Sequence, residues 1–314
     1  MRGKNFGKKK GAETVVTTPA VGAPKVYQRG IGRFFFNKPI RVIGLSILLL
    51  YLVIALFGPI IFPPQVALVA NPAKVFQGPS WADPLGTDFQ GVSVLAEVVL
   101  GARGVLMVGL LAAFFIVVLG VTVGLLAGFL GGLFDAVLMR ITDMFIAIPQ
   151  FPLLLLVASI LNTSSPWMLV LMLSMTSWGG LARSIRSQVL SLRERDFVEA
   201  ARGLRLGTRN IALKVILPNM LSYVAMNFMI SITGAIYAEV GLLFLGVTPF
   251  NADNWGVMLK QAAGTSGALY TTTSIFYVLA PLIAILLLQA GIIFILGALD
   301  EVFNPRLRKG GARA

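Results

Sequence analysis

Residues 193–219 read RERDFVEAARGLRLGTRNIALKVILPN, a charged, Gly-interrupted interval between strongly apolar runs. Charged side chains and unpaired backbone are costly in hydrocarbon, so this stretch must leave any bilayer its neighbours cross. Within it, spacing predicts a helix from Asp196 to Gly207. Phe197, Ala200, Ala201 and Leu204 recur at three- and four-residue intervals and share one face. Asp196 is placed as an N-cap, and Glu199 three residues on completes a capping-box-like pair. Gly207 is a reasonable stop, and Pro218 suits the first turn of a following helix. The stretch is expected to be where a membrane-buried chain meets a soluble partner and receives mechanical work.

Composition supports the membrane reading. The 314 residues are 57% hydrophobic and 12% charged, with mean hydropathy +0.85. A soluble domain carries roughly 25% charged residues. The fold class is therefore an all-α, polytopic membrane protein. The net charge of +13 is no nucleic-acid signature, because the basic residues sit at membrane edges and no basic–aromatic RNA motif appears. The chain has no Cys and no His, which removes the usual zinc sites, thiol catalysis, disulfides and Ser–His hydrolases.

Working outward, six apolar spans emerge: Val42–Phe62, Val105–Phe129, Phe134–Leu161, Met168–Leu190, Asn219–Leu245 and Thr273–Leu296. Each is long enough for the ~30 Å hydrocarbon core at about 1.5 Å per residue. Pro63-Pro64 ends the first, Gly131-Gly132 turns the chain after the second, and a short turn from Asn162 to Pro166 follows the third. Pro149 is expected to kink the third. Arg140 and Asp143, one turn apart near its start, are expected to pair with each other as a structural element. Gly120 and Gly124 form a G-x-x-x-G pair suited to close helix packing. Glu239, deep in the fifth span, either lines the outer end of a pathway, bonds a neighbouring helix or reaches the interface. Trp81 and Trp255 are expected as interface anchors. Residues 1–41 form a basic tail in which Gly30–Lys38 is either a short interfacial helix or part of a solvated arm.

Lys and Arg placement predicts orientation. Residues 1–41 hold ten, residues 181–218 hold eight and the C-terminal tail holds four. Loops 63–104 and 246–272, the latter with Asn251, Asp253 and Asn254, hold only Lys74, Arg103 and Lys260. Both termini and the loop 191–218 are thus expected on the cytoplasmic side. No G-x-x-x-x-G-K-[ST] occurs, so ATP is not bound here through a P-loop. No nucleophile–base pair, metal site or carboxylate dyad is evident, so the chain is not expected to be an enzyme. The spans hold little that would power transport, which leaves a passive pore or a permease driven from outside itself.

Residues 195–219 resemble the cytoplasmic loop of permease subunits of ATP-binding cassette importers. Its hallmark is Glu-Ala-Ala, a Gly four residues on, then an aliphatic residue and Leu-Pro. Glu199, Ala200, Ala201, Leu217 and Pro218 match, and Val215 stands at the usual Ile. Arg205 replaces the usual Gly, with Gly203 and Gly207 flanking it. Over roughly residues 40–309 the chain is similar to the second permease subunit of dipeptide, oligopeptide and nickel importers. Leu85-Gly86-Thr87-Asp88 with Gly91, Gly101-Ala102-Arg103, Gly128-Phe129-Leu130-Gly131-Gly132, Ala238-Glu239, Phe244-Leu245-Gly246, Trp255-Gly256 and Asn304-Pro305-Arg306-Leu307 carry that resemblance. Val92, Ser93, Ala96 and Glu97 depart from it, on the outer side where substrate or binding-protein contacts are expected.

The resemblance implies a type I importer permease fold occupying residues 42–309, with a short tail at 310–314. It implies a coupling helix over 196–206 in which Phe197 and Leu204 fill apolar pockets of an ATPase subunit. Ala200 and Ala201 allow close approach there, and Glu199 caps its own helix or meets a basic group. Gly203, Arg205, Leu217 and Pro218 complete the expected coupling segment. The implied partners are a sister permease, two ATP-binding subunits holding ATP and Mg, an external substrate-binding protein and the lipid bilayer. The implied cargo is a dipeptide or oligopeptide. An oligosaccharide, or a self-sufficient channel or secondary carrier, is the alternative.

Overall fold

The computed structural model describes residues 38–161, 165–247, 254–265 and 274–303. The basic tail before Lys38, residues 162–164, the positions Asn251 and Asp253, and Asn304 to Leu307 lie outside these. Among the described residues regular structure is helical. Helix α1 spans Pro39–Ile61, with Pro39 in the first turn where its missing N–H costs nothing. A loop packed through its own backbone follows, and α2 runs Val94–Leu130.

Helix α2 starts at Val94, so the expected outer loop 63–104 ends at Ser93. Glu97 and Arg103 interrupt the apolar run and disguise this start in the sequence. In the fold Val94, Ala96, Glu97 and Leu100 are all buried against neighbours. At 37 residues α2 is about 55 Å long, well beyond the hydrocarbon thickness. It stops at Gly131, where φ +67° with ψ −162° is a conformation essentially confined to glycine, and Gly132 follows at φ +57°, which glycine adopts without cost.

Helix α3 (Gly132–Ala147) and α4 (Gln150–Leu161) meet at 85°. The expected single kinked span is therefore two helices. Pro149 has no N–H to donate and drives the residue before it out of the helical region. Ile148 is accordingly extended, at φ −87° and ψ 126°. Helix α5 spans Pro166–Leu192, α6 Asp196–Gly203 and α7 Leu217–Leu245. Two short helices, α8 (Trp255–Lys260) and a π turn Gln261–Thr265, precede α9 (Ile275–Phe303).

Among the described residues five helices are long and apolar enough to cross a membrane: α1, α2, α5, the run Thr208–Leu245 that contains α7, and α9. The bent pair supplies the sixth crossing by topology. A Cβ on Gly120 would lie 2.8 Å from Leu181, one on Gly124 2.7 Å from Ile185, and one on Gly128 2.9 Å from Val189. Sequence numbers rise together along this seam, so α2 and α5 run parallel. Helices α3 and α4 must then carry the chain from one end of the bundle to the other. The G-x-x-x-G expectation is met and extends one turn to Gly128. In hydrocarbon such backbone approach, rather than release of water, drives helix association.

Helix α1 packs antiparallel on α9. Gly44 approaches Phe294, Gly291 approaches Ile47, and the Tyr51 hydroxyl donates to the Ala284 carbonyl at 2.6 Å. Glu301 accepts from Lys38 at 2.9 Å and pairs with Arg41, joining the two helices at the end of the bundle that also carries α6. This is the near end. The far end carries residues 63–93 and α8. There Gly86 and Gly91 adopt φ of +76° and +77°, and a Cβ at Gly91 would lie 2.0 Å from the Asn71 carbonyl. Asp88 accepts from the backbone N–H groups of Gln90 and Val92, at 2.9 and 2.7 Å. Burial nonetheless pushes its carboxyl above the ordinary range, outweighing those donors.

Candidate functional site

Helix α6 lies at the near end, joined to α5 by Arg193–Arg195. Arg195, extended at φ −84° and ψ 147°, holds the N-cap position, and no side chain caps the helix. The expected capping pair is absent: Asp196 is already the first helical residue. Asp196 and Glu199 instead place negative charge in the first turn, and Arg202 places positive charge in the last, both favourable to the helix dipole.

The helix ends at Gly203, one turn before the expected Gly207. The Leu206 N–H donates to the Ala201 carbonyl at 3.2 Å and the Arg205 N–H to the Arg202 carbonyl at 2.8 Å. This pair of bonds is a Schellman cap, which needs a left-handed residue between them. That residue is Arg205, at φ +55°. The departure noted in the sequence thus falls on the one position of the loop where glycine is conformationally favoured. Gly203 and Gly207, which flank it, lie outside the left-handed region.

The face assigned to Phe197, Ala200, Ala201 and Leu204 divides in two. Val198 (0% exposed) and Ala201 (6%) turn inward onto Val189, Ile211, Ile216 and Met220. Phe197 (40%) and Leu204 (77%) stay exposed, with Ala200 between them. Val198 was missed because the four-residue grouping already satisfied helical spacing; the i, i+3 pair Val198/Ala201 was the available signal. One side of α6 is therefore an anchor and an adjacent side an exposed apolar face. Beside it a cleft of about 630 Å³ is lined by Arg193, Glu194, Glu199, Arg202 and Gly203.

The anchor continues into the transmembrane bundle. After Gly207 a helical turn at Thr208–Asn210 leads into a π-helix, Ile211–Ile216, and then α7. Pro218 sits at the start of α7, as expected, where its missing N–H follows the π segment. Leu217 is half-buried and Pro218 exposed. Together these residues form one helical run of 38 residues from Thr208 to Leu245. On the other side, Arg193 Nη1 donates to the Gly128 carbonyl at 3.2 Å, tying the start of the loop to the C-terminal end of α2.

Arg140 and Asp143 do not pair. Asp143 is bound by Arg183 of α5, and Arg140 is exposed. On α3 a partner one turn away competes with α5, which lies alongside and brings arginines to both Asp143 and Asp135. Arg186 meets Asp135 through both carboxylate oxygens, at 2.6 Å for Nη2–Oδ2. Glu239 is fully buried and accepts from Asn254 Nδ2 at 3.0 Å, so it bonds a neighbouring element and does not reach the interface. Trp255 is not an interface anchor: it is fully buried and its indole N–H donates to the Val98 carbonyl at 2.9 Å. Trp81 is fully exposed. Val92, Ala96 and Glu97 are buried within the chain, not displayed for contacts. Among the described residues no acidic cluster is arranged to hold a metal ion.

Comparison with known proteins places this arrangement. The family described as binding-protein-dependent transport system inner membrane component matches residues 120–309. The dipeptide transport system permease protein DppC of Alkalihalophilus pseudofirmus is 30% identical over 273 residues, 87% of each chain. The oligopeptide transport system permease protein OppC of Bacillus subtilis is 28% identical over 278 residues, 88% of each chain. The OppC protein of Haemophilus influenzae is 30% identical over 242 residues, 76% of each chain.

Proposed function

Because the chain belongs to the family of binding-protein-dependent transport system inner membrane components, we propose that it forms half of a peptide pathway driven through α6. The coarse role is a multi-pass permease of an ATP-binding cassette importer. A sister permease supplies the other half of the pathway. Two ATPase subunits bind ATP and Mg at the near end, and an external binding protein delivers dipeptides or oligopeptides at the far end. The relatives' names support that cargo.

The observation that carries the reading is the two-sided α6. Its exposed Phe197, Ala200 and Leu204 offer an apolar face with little bulk at the centre, suited to a groove on an ATPase. Its buried Val198 and Ala201 fix it to the bundle. A push on the exposed face therefore reaches α7 through the π segment and α2 through Arg193. Glu199 and Arg202 flank the cleft and supply charges for partner contact. The near end is the cytoplasmic one on this reading. Arg183, Arg186, Arg193, Arg195, Arg202, Arg205, Arg209 and Lys214 gather there, as positively charged loops do on that side.

The test is reconstitution of the complex in proteoliposomes with separate measurement of ATP hydrolysis and peptide uptake. Ala200→Trp and Glu199→Arg are expected to insert normally and to uncouple hydrolysis from uptake. Wild-type coupling in both variants refutes the assignment. Peptide flux through this chain alone would instead establish a self-sufficient carrier.

A further inference from the structure

Helix α8 is wedged into the far end of the bundle. Trp255 fills a gap between α1 and α2, its ring 5.9 Å from that of Tyr51 and nearly perpendicular to it. Gly256 presses on α7: a Cβ there would lie 2.7 Å from the Leu243 Cβ and 2.9 Å from the Val240 carbonyl. Gln261, just beyond, accepts from the Tyr277 hydroxyl of α9 at 2.9 Å. Asn254 joins α8 to α7 and uses both ends of its amide. Its Oδ1 accepts from the Gly256 N–H at 3.0 Å, capping α8, and its Nδ2 donates to Glu239 Oε1 at 3.0 Å.

The other carboxylate oxygen is the informative one. Glu239 Oε2 is buried and has no hydrogen-bond partner. A deprived acceptor in an apolar interior raises the energy of the arrangement that holds it. Displacing α8 breaks the Asn254 bond but lets both oxygens reach water. The closed state is therefore held more weakly than the burial of Trp255 and Met258 alone implies. Glu239 also lies on the same unbroken helical run, Thr208–Leu245, whose other end anchors α6.

We propose that Glu239 and Asn254 are positioning residues that form a latch between the far-end loop and α7, opened when the binding protein displaces α8. The proposal rests on the importer reading above. A closed latch holds α7, and through it α6, in the resting arrangement. Opening frees α7 to shift, so occupancy at the far end changes the response at the ATPase end. By linkage, events at α6 change the hold on α8 by the same factor.

The experiment measures ATP hydrolysis by the complete transporter in nanodiscs, with and without saturating binding protein. Loss of the latch in Glu239→Ala or Asn254→Ala is expected to raise the unstimulated rate roughly fivefold or more, the lower range of site-to-site coupling. Glu239→Gln keeps an acceptor for Asn254 and is expected to restore the wild-type ratio. A loss of packing alone would not be rescued this way. Because the chain has no Cys, a second variant pair uses Glu239→Cys with Asn254→Cys and a short bifunctional methanethiosulfonate reagent. The reduced pair lacks the latch and is expected to show the raised unstimulated rate. Cross-linking is expected to bring that rate down and block stimulation by the binding protein, and reductant to return the raised rate in the same sample.

Unchanged ratios in the alanine variants, or full stimulation while cross-linked, overturn the latch. A wild-type complex that the binding protein does not stimulate overturns the importer reading, and the latch with it. The two failures are thus distinguishable.

Discussion

Replacing Arg205 by glycine is expected to stabilise α6. Arg205 sits at φ +55° as the left-handed residue of the Schellman cap. A side chain in that region costs about 1–2 kcal/mol. Glycine removes this cost but gives back about 0.4–1 kcal/mol through the greater freedom of the unfolded loop. The net gain is about 0.5–1 kcal/mol, or roughly two- to fivefold in the opening equilibrium. Hydrogen exchange of the 196–210 region in nanodiscs reads it as slower exchange of the Arg205 and Leu206 amides, which carry the cap bonds. Arg205→Val, β-branched at the same φ, is expected to shift exchange the other way. Gly203→Ala is the companion case. Gly203 is the last helical residue, and a Cβ added there would meet no atom within 4 Å outside its own turn, so helix propensity alone predicts slower exchange, by less than the roughly 1 kcal/mol of a helix interior. If Arg205→Gly leaves exchange unchanged or speeds it, the left-handed cap is not the feature that ends α6.

Further expectations follow from the packing and the charges. Gly124→Ala places a Cβ 2.5 Å from the Ala182 carbonyl, and overpacking of this kind costs about 1–3 kcal/mol; a lowered Tm of the purified chain checks it, with no lowering expected for Gly180→Ala, where an added Cβ has open space within α5. A double-mutant cycle on Asp135 and Arg186, whose contact is bidentate, is expected to give about 1 kcal/mol of coupling. The cycle on the half-exposed Asp143 and Arg183 is expected to lie near zero. The raised carboxyl of Asp88 binds its proton more readily in the folded loop than in the unfolded one. Protection of the 86–93 amides, corrected for intrinsic rates, should therefore increase as pH falls through the folded value toward the ordinary carboxylate range and be lost as pH rises; Asp88→Asn should flatten the profile.

The sequence made the crossings legible because long apolar runs have one economical solution in hydrocarbon, all bonds internal to a helix. It also located α6, since a charged interval cannot stay among such runs. What it concealed were features set by neighbours. The pairing of Asp143 with Arg183 depends on which helix lies beside α3, and no spacing within 132–147 contains that. Trp255 resembles an interface residue until α8 is seen folded into the bundle. The break at Ile148 was visible as Pro149, but its angle depends on how α3 and α4 pack. Val198 and Ala201 divide a face that periodicity alone leaves whole, because periodicity identifies a stripe and not what will cover each part of it.

The π segment between α6 and α7 has a consequence for sequence change. A π turn holds one residue more than the α turn it replaces, so residues before it are rotated by about 100° relative to those after. Deleting a single residue within 211–216 would let the run become an ordinary α-helix and swing α6, carried at its start, around the axis of the Thr208–Leu245 run. Val198 and Ala201 would then no longer face Ile211 and Ile216, although every side chain in α6 is unchanged. The connection therefore tolerates substitution far better than it tolerates a change in length.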